Sequence, residues 1–120
     1  MATRALRRPE PFRCSVQEGR ASALVELSGE LDLATVDAVR TAIDALMVSK
    51  RAITLDLRGL TFIDSTGLRL ILEIDAVARQ DGFNFAVVKG PEAVQRVFAV
   101  TATEDGLVFV DAPEDLLPPQ

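Results

Sequence analysis

The chain has no histidine, no tryptophan, no tyrosine and a single cysteine, Cys14. Without histidine there is no Ser–His–Asp triad and no Cys–His nucleophile, and one cysteine with no histidine gives no ligand set for a structural zinc. A single cysteine permits no internal disulfide, which fits a reducing compartment. One cysteine in an edge strand, as Cys14 is expected to be, is ordinarily a small hydrophobe. Cations are in deficit, with 13 Lys+Arg against 18 Asp+Glu for a net charge of −5, and six Phe are the only aromatics. A nucleic-acid binder would need phosphate-neutralising cations and usually stacking rings, so that class is set aside. Long apolar runs are missing as well, since no stretch reaches the roughly 18–20 residues that span a bilayer. The basic start, with Arg4, Arg7 and Arg8, runs into Pro9-Glu10-Pro11 and not into a hydrophobic signal core. The expectation is a cytoplasmic protein with no nucleic acid and no membrane among its partners.

What is present suffices for a core: 120 residues at 48% apolar, with a mean hydropathy of +0.22, make one compact domain. Residues 1–11 read as a flexible N-terminal arm, 12–117 as the domain and 118–120 as a tail. Strands are expected at 12–16 and 23–28 around a turn at 17–20, and again at 52–57, 83–88 and 107–110. Between them Val36, Val39, Ile43, Leu46 and Met47 recur at the spacing of one helical face. Asp32 is that helix's expected N-cap. A second helix follows the strand at 52–57 and runs to Gly82. A third starts at Gly90-Pro91 and buries Val94, Val97 and Phe98, and residues 113–117 read as a terminal helical turn. Two parallel crossovers then demand an α/β fold: a mixed sheet of four to five strands with about four helices packed on it.

The most informative stretch is Ile63-Asp64-Ser65-Thr66-Gly67-Leu68, where an apolar strand turns into a helix. A serine there can cap the helix, and the unpaired N–H groups and helix dipole would also tolerate a phosphate on it. A nucleophile elbow is disfavoured because its Gly-x-Ser-x-Gly pattern meets Ile63 and there is no histidine to take the proton. Nucleotide-binding glycine loops are absent. No catalytic residue, metal or cofactor is expected. Ser65 reads either as a mere cap or as a residue that is itself modified.

Asp-Ser-Thr-Gly-Leu after one strand, with Gly29-Glu30-Leu31-Asp32 about thirty residues earlier after another, resembles the STAS family of anti-sigma factor antagonists over roughly residues 12–117. The resemblance implies a non-enzymatic protein that binds an anti-sigma factor, typically a serine kinase, and so frees a sigma factor for transcription. It implies phosphorylation at Ser65, with Thr66 the weaker alternative acceptor, and a protein phosphatase that restores the unmodified form. Asp64 would shape the turn, and Asp32 would lie in the loop next to the switch serine. The partner-binding set it suggests is Asp32, Asp64, Ser65, Thr66, Gly67, Arg69 and Glu73. Arg69 and Glu73 stand where family members often carry small residues, so they either tune the docking surface or simply pair at i, i+4.

The Ser65 helix also carries two apolar stripes. Leu68, Ile71, Leu72 and Ala78 should face the sheet, which leaves Leu70, Ile74 and Val77 either covered by a neighbouring helix or exposed as a partner or self-association surface, the latter giving a weak homodimer. Two rival functions remain. One is a scaffold or accessory STAS domain of a stress-signalling, transporter or lipid-trafficking complex, in which Ser65 is never phosphorylated. The other is a phospho-aspartate receiver using Asp56 or Asp64, but Val16-Gln17-Glu18 supplies only one carboxylate of the acidic pair that it needs.

Overall fold

Hydrophobic alternation in the first half of the chain builds a sheet edge, and the longer apolar runs build its centre. The structure, a computed structural model, describes residues 11–113. Strands β1 (Arg13–Glu18) and β2 (Ser22–Leu31) form an antiparallel hairpin. Helix α1 (Val36–Met47) returns the chain to β3 (Ala52–Ile63), α2 (Ser65–Asp81) leads to β4 (Phe85–Val88), and α3 (Glu92–Val100) leads through a short 3-10 turn to β5 (Phe109–Val110). The sheet order is β1-β2-β3-β4-β5, with every pair after the first parallel. Three successive right-handed crossovers in one direction across the sheet place all three helices on one face. Burial agrees, since Ala23, Val25 and Leu27 of β2 and Ile53, Leu55 and Leu57 of β3 are buried while Ser22, Leu24, Glu26 and Ser28 between them are only half-buried.

The α/β class, the mixed sheet and both crossovers match the expectation. Its details need correction. Among the described residues there are three α-helices, not about four. The expected turn at 113–117 lies outside the described residues apart from Pro113, as do most of the arm and the whole tail. The hairpin turn is tighter than 17–20, because Gln17 and Glu18 still pair with Leu24 and Ala23. β3 continues six residues past Leu57. Arg58-Gly59 interrupts the apolar pattern there, but the backbone stays paired to β2 through two register shifts, between Glu26 and Ser28 and between Gly29 and Glu30. Gly29 is at φ +94°, a left-handed conformation that glycine adopts without cost. The bulges re-aim the ends of β2 and β3, and these ends carry the site.

α1 starts a turn later than expected. Its N-cap is Thr35, and Asp32 instead closes the preceding turn: its Oδ1 accepts from the Ala34 N–H at 3.0 Å and its carbonyl from the Val36 N–H at 2.9 Å. A short polar side chain two residues ahead of a turn competes for the backbone in this way. The surplus stripe on α2 is corrected too: Leu70 and Ile74 are each 2% exposed and Val77 is half-buried. These three line the seam with Ile43 and Met47 of α1, so the neighbouring helix covers Leu70 and Ile74 and leaves Val77 half-buried at the seam; the stripe is not the exposed apolar surface that the sequence allowed.

Candidate functional site

β2 and β3 run parallel, so their C-terminal ends meet at one edge of the molecule. Leu31 pairs with Ile63, and the Asp64 N–H donates to the Leu31 carbonyl at 3.2 Å. The loop after β2, bearing Asp32, and the mouth of α2, bearing Asp64 to Gly67, therefore lie side by side. Thr35 fixes the first of these, since its hydroxyl donates to the Glu30 carbonyl at 2.8 Å and accepts from the Asp32 N–H at 3.0 Å.

The N-cap of α2 is Asp64 and not Ser65. Asp64 is extended, at φ −109° and ψ −174°, and one carboxylate oxygen accepts from the Thr66 N–H at 2.9 Å and the Gly67 N–H at 3.1 Å. That satisfies two of the helix's orphan donors and sets a negative charge at the positive end of its dipole. Ile63 before the cap and Leu68 four residues into the helix both enter the core, the arrangement of a hydrophobic staple. Gly67 permits the close approach: a Cβ there would stand 2.8 Å from Leu31 Cγ and 3.0 Å from Ile63 Cγ1. The motif glycine thus seats the helix mouth directly on the end of β2.

Ser65 is left over by this arrangement. It is the first residue of α2 and exposed, and its hydroxyl makes no hydrogen bond among the described residues. Thr66 behind it is half-buried, so Ser65 is the more accessible of the two hydroxyls. Arg69, one turn on, is exposed and forms no ion pair among the described residues. The expected Arg69–Glu73 pair is absent because Arg40 of α1 takes Glu73, Nη2 to Oε1 at 2.9 Å, which raises the Arg40 guanidinium further above its ordinary value. Glu73 is therefore a clasp between α1 and α2, two turns from the helix mouth.

Neither carboxylate of the receiver reading is poised for phosphotransfer. Asp56 is buried and held in a bidentate pair with Arg58, at 3.0 Å from Nε and 2.8 Å from Nη2. Asp64 is engaged as the cap. Two residues of this edge escaped the sequence reading: Leu33, 75% exposed in the loop after Asp32, and Phe62, 47% exposed opposite Glu30. Leu33 lies outside the helical period that begins at Val36, and Phe62 lies in the half of β3 that the sequence reading left out. Together the edge presents the Ser65 hydroxyl, acidic groups from Glu30, Asp32 and Asp64, the Arg69 guanidinium and two apolar side chains.

A family model described as "Mlab, STAS domain" matches residues 14–111. An anti-sigma F factor antagonist from Paenibacillus polymyxa is 36% identical over 88 residues, which cover 72% of this chain and 75% of the relative. Among solved structures, an anti-sigma factor antagonist from Mycobacterium paratuberculosis aligns with a TM-score of 0.77 at 23% identity, over 92% of this chain and 94% of its own. The Bacillus cell fate determinant SpoIIAA in its phosphorylated form aligns with a TM-score of 0.66 at 20% identity, over 88% and 95%. At such identities the two structures speak for the fold. The family match and the sequence relative carry the assignment further: the chain belongs to the STAS-domain family of anti-sigma factor antagonists.

Proposed function

We propose that this protein binds an anti-sigma factor that is itself a serine kinase, thereby frees a sigma factor, and is switched off when that kinase phosphorylates Ser65. The observation that carries the reading is the state of Ser65: exposed, at the first position of α2, its hydroxyl unengaged while Asp64 does the capping. A serine needed for capping would lose its structural role on modification. This one is free to react. In the transfer, Ser65 Oγ bonds to the γ-phosphorus of ATP held by the partner as the bridging bond to the β-phosphate breaks; ADP leaves and the hydroxyl proton passes to a base on the kinase. A protein phosphatase restores the serine by hydrolysis.

The added group carries roughly −1.5 to −2 charges at neutral pH. It would stand at the first turn of α2, next to the loop that bears Asp32, and a partner covering that edge would have to desolvate it. Binding is then blocked while the fold stands. The Paenibacillus relative is named an antagonist of an anti-sigma factor, which supports this reading; on it the protein would act in the cytoplasm, with the sigma factor. Thr66 remains the secondary acceptor, and Asp32, Asp64 and Arg69 the candidate partner contacts around Ser65; Gly67 is buried under the helix mouth and Glu73 is held by Arg40 two turns away. The description of the matching family model, Mlab, favours a second reading: an accessory STAS domain in another assembly with Ser65 unmodified.

Affinity capture from the native cell followed by mass spectrometry separates the two. Recovery of a serine-kinase anti-sigma factor, with a phosphate on Ser65 that Ser65→Ala lacks, supports the switch. Recovery of a different assembly with Ser65 unmodified in every condition supports the accessory role.

A further inference from the structure

Phosphorylation of Ser65 would set a dianion beside Asp64, whose carboxylate already holds the Thr66 and Gly67 N–H groups. The helix mouth therefore has few vacant donors for it. A cationic side chain within reach would compensate it. Ser65 and Arg69 are both exposed and stand at i and i+4 on α2, where side chains emerge about 5–6 Å apart on one face. Glu73, the carboxylate one turn beyond Arg69 on the same stripe, is drawn sideways by Arg40 at 2.9 Å. Arg69 is thus a guanidinium without an ion-pair partner among the described residues, one turn from the modified hydroxyl, at an edge whose other charges at Glu30, Asp32 and Asp64 are acidic.

We propose that Arg69 is the residue that receives the phosphate on Ser65, closing back one turn onto it in a charge-assisted, bidentate contact. The inference rests on the phosphorylation reading above and adds its local consequence. The modified surface gains a dianion and at the same time loses the cation that the unmodified surface offers to a partner. A guanidinium fork matches phosphate oxygens in a way that lysine or a neutral side chain does not. The Arg40–Glu73 clasp has a second role here, since it keeps Glu73 from competing for Arg69.

The test uses the full chain with phosphoserine inserted at position 65 during translation, followed by 31P chemical shift across a pH titration at low ionic strength, where screening is weak. A phosphoserine ordinarily loses its second proton near pH 6. An opposite charge within reach favours the dianion, so this midpoint should lie lower in the parent than in Arg69→Ala or Arg69→Gln by about 0.5, a roughly threefold change in acidity. Arg69→Lys should fall between them. Arg40→Ala should raise the midpoint toward the Arg69→Ala value by releasing Glu73, and adding Glu73→Ala to it should lower the midpoint again. Arg69→Gln keeps a long polar side chain and stands in should Arg69→Ala unfold. A midpoint unchanged in Arg69→Gln overturns the proposal. Because the phosphoserine is supplied by translation, failure of any kinase to modify Ser65 would count against the proposed function and leave this titration readable.

Discussion

Replacing Asp64 by alanine removes the acceptor of two N–H groups, at 2.9 and 3.1 Å, at a half-buried helix mouth. Loss of an N-cap costs about 0.5–2 kcal/mol, and loss of a carboxylate from the positive end of the dipole adds about 0.3–1 kcal/mol. Asp64→Ala should therefore destabilise the fold by about 1–3 kcal/mol, the sum of the two contributions. Asp64→Asn keeps an acceptor and loses the charge, so about 0.5 kcal/mol is expected for it from the dipole contribution alone. Ser65→Ala removes a hydroxyl with no partner and should stay within about 0.5 kcal/mol. Urea unfolding read by circular dichroism gives all three, and in thermal melts about 1 kcal/mol corresponds to about 4 °C for a chain of this length. If Ser65→Ala costs as much as Asp64→Ala, Ser65 is the working cap and the division of labour at this helix mouth is wrong.

Gly67→Ala should cost about 1–3 kcal/mol by overpacking, since the new Cβ would meet Leu31 at 2.8 Å; a neutral effect in the same melts would mean that the helix mouth does not sit on β2 as described. Leu70→Ala should cost about 2–5 kcal/mol as a core truncation, whereas a change within about 0.5 kcal/mol would restore the exposed-stripe reading for Leu70, Ile74 and Val77. Burial pushes the Cys14 thiol above its ordinary pKa. A raised value makes the thiolate scarcer at a given pH, so the pH–rate profile for alkylation should be displaced to higher pH in the native protein than in urea. Coincident profiles would contradict the burial.

The periodic parts of this fold were legible in the sequence. Val36, Val39, Ile43 and Leu46 marked one buried face of α1, and apolar runs bounded by turn residues marked β3 and β4. Pairing across the sheet was not legible. Arg58-Gly59 looked like the end of a strand because its side chains are exposed, yet bulged pairing with Ser28 and Gly29 carries β3 on to Ile63. Capping was partly misassigned for a related reason: Asp64 and Ser65 both suit an N-cap, and only the backbone conformation of Asp64 decides between them. The motif brought Asp32 and Ser65 to the same edge, as the resemblance implied. The Arg69–Glu73 pair failed because a single sequence window cannot see Arg40 arriving from α1. Exposed ion pairs are individually weak, so which partner a side chain takes turns on small differences in geometry.

The central claim is that a phosphate on Ser65 turns off binding while leaving the fold in place. The most direct measurement is calorimetric titration of the captured anti-sigma factor with the unmodified protein and with the protein carrying phosphoserine at position 65, with thermal melts of both forms. The account predicts that the phosphorylated protein binds at least about tenfold more weakly, a loss of about 1.4 kcal/mol, while its stability changes by no more than about 1 kcal/mol, the scale of one dipole contribution. Equal affinities for the two forms, or a phosphorylated form that no longer folds, would contradict it.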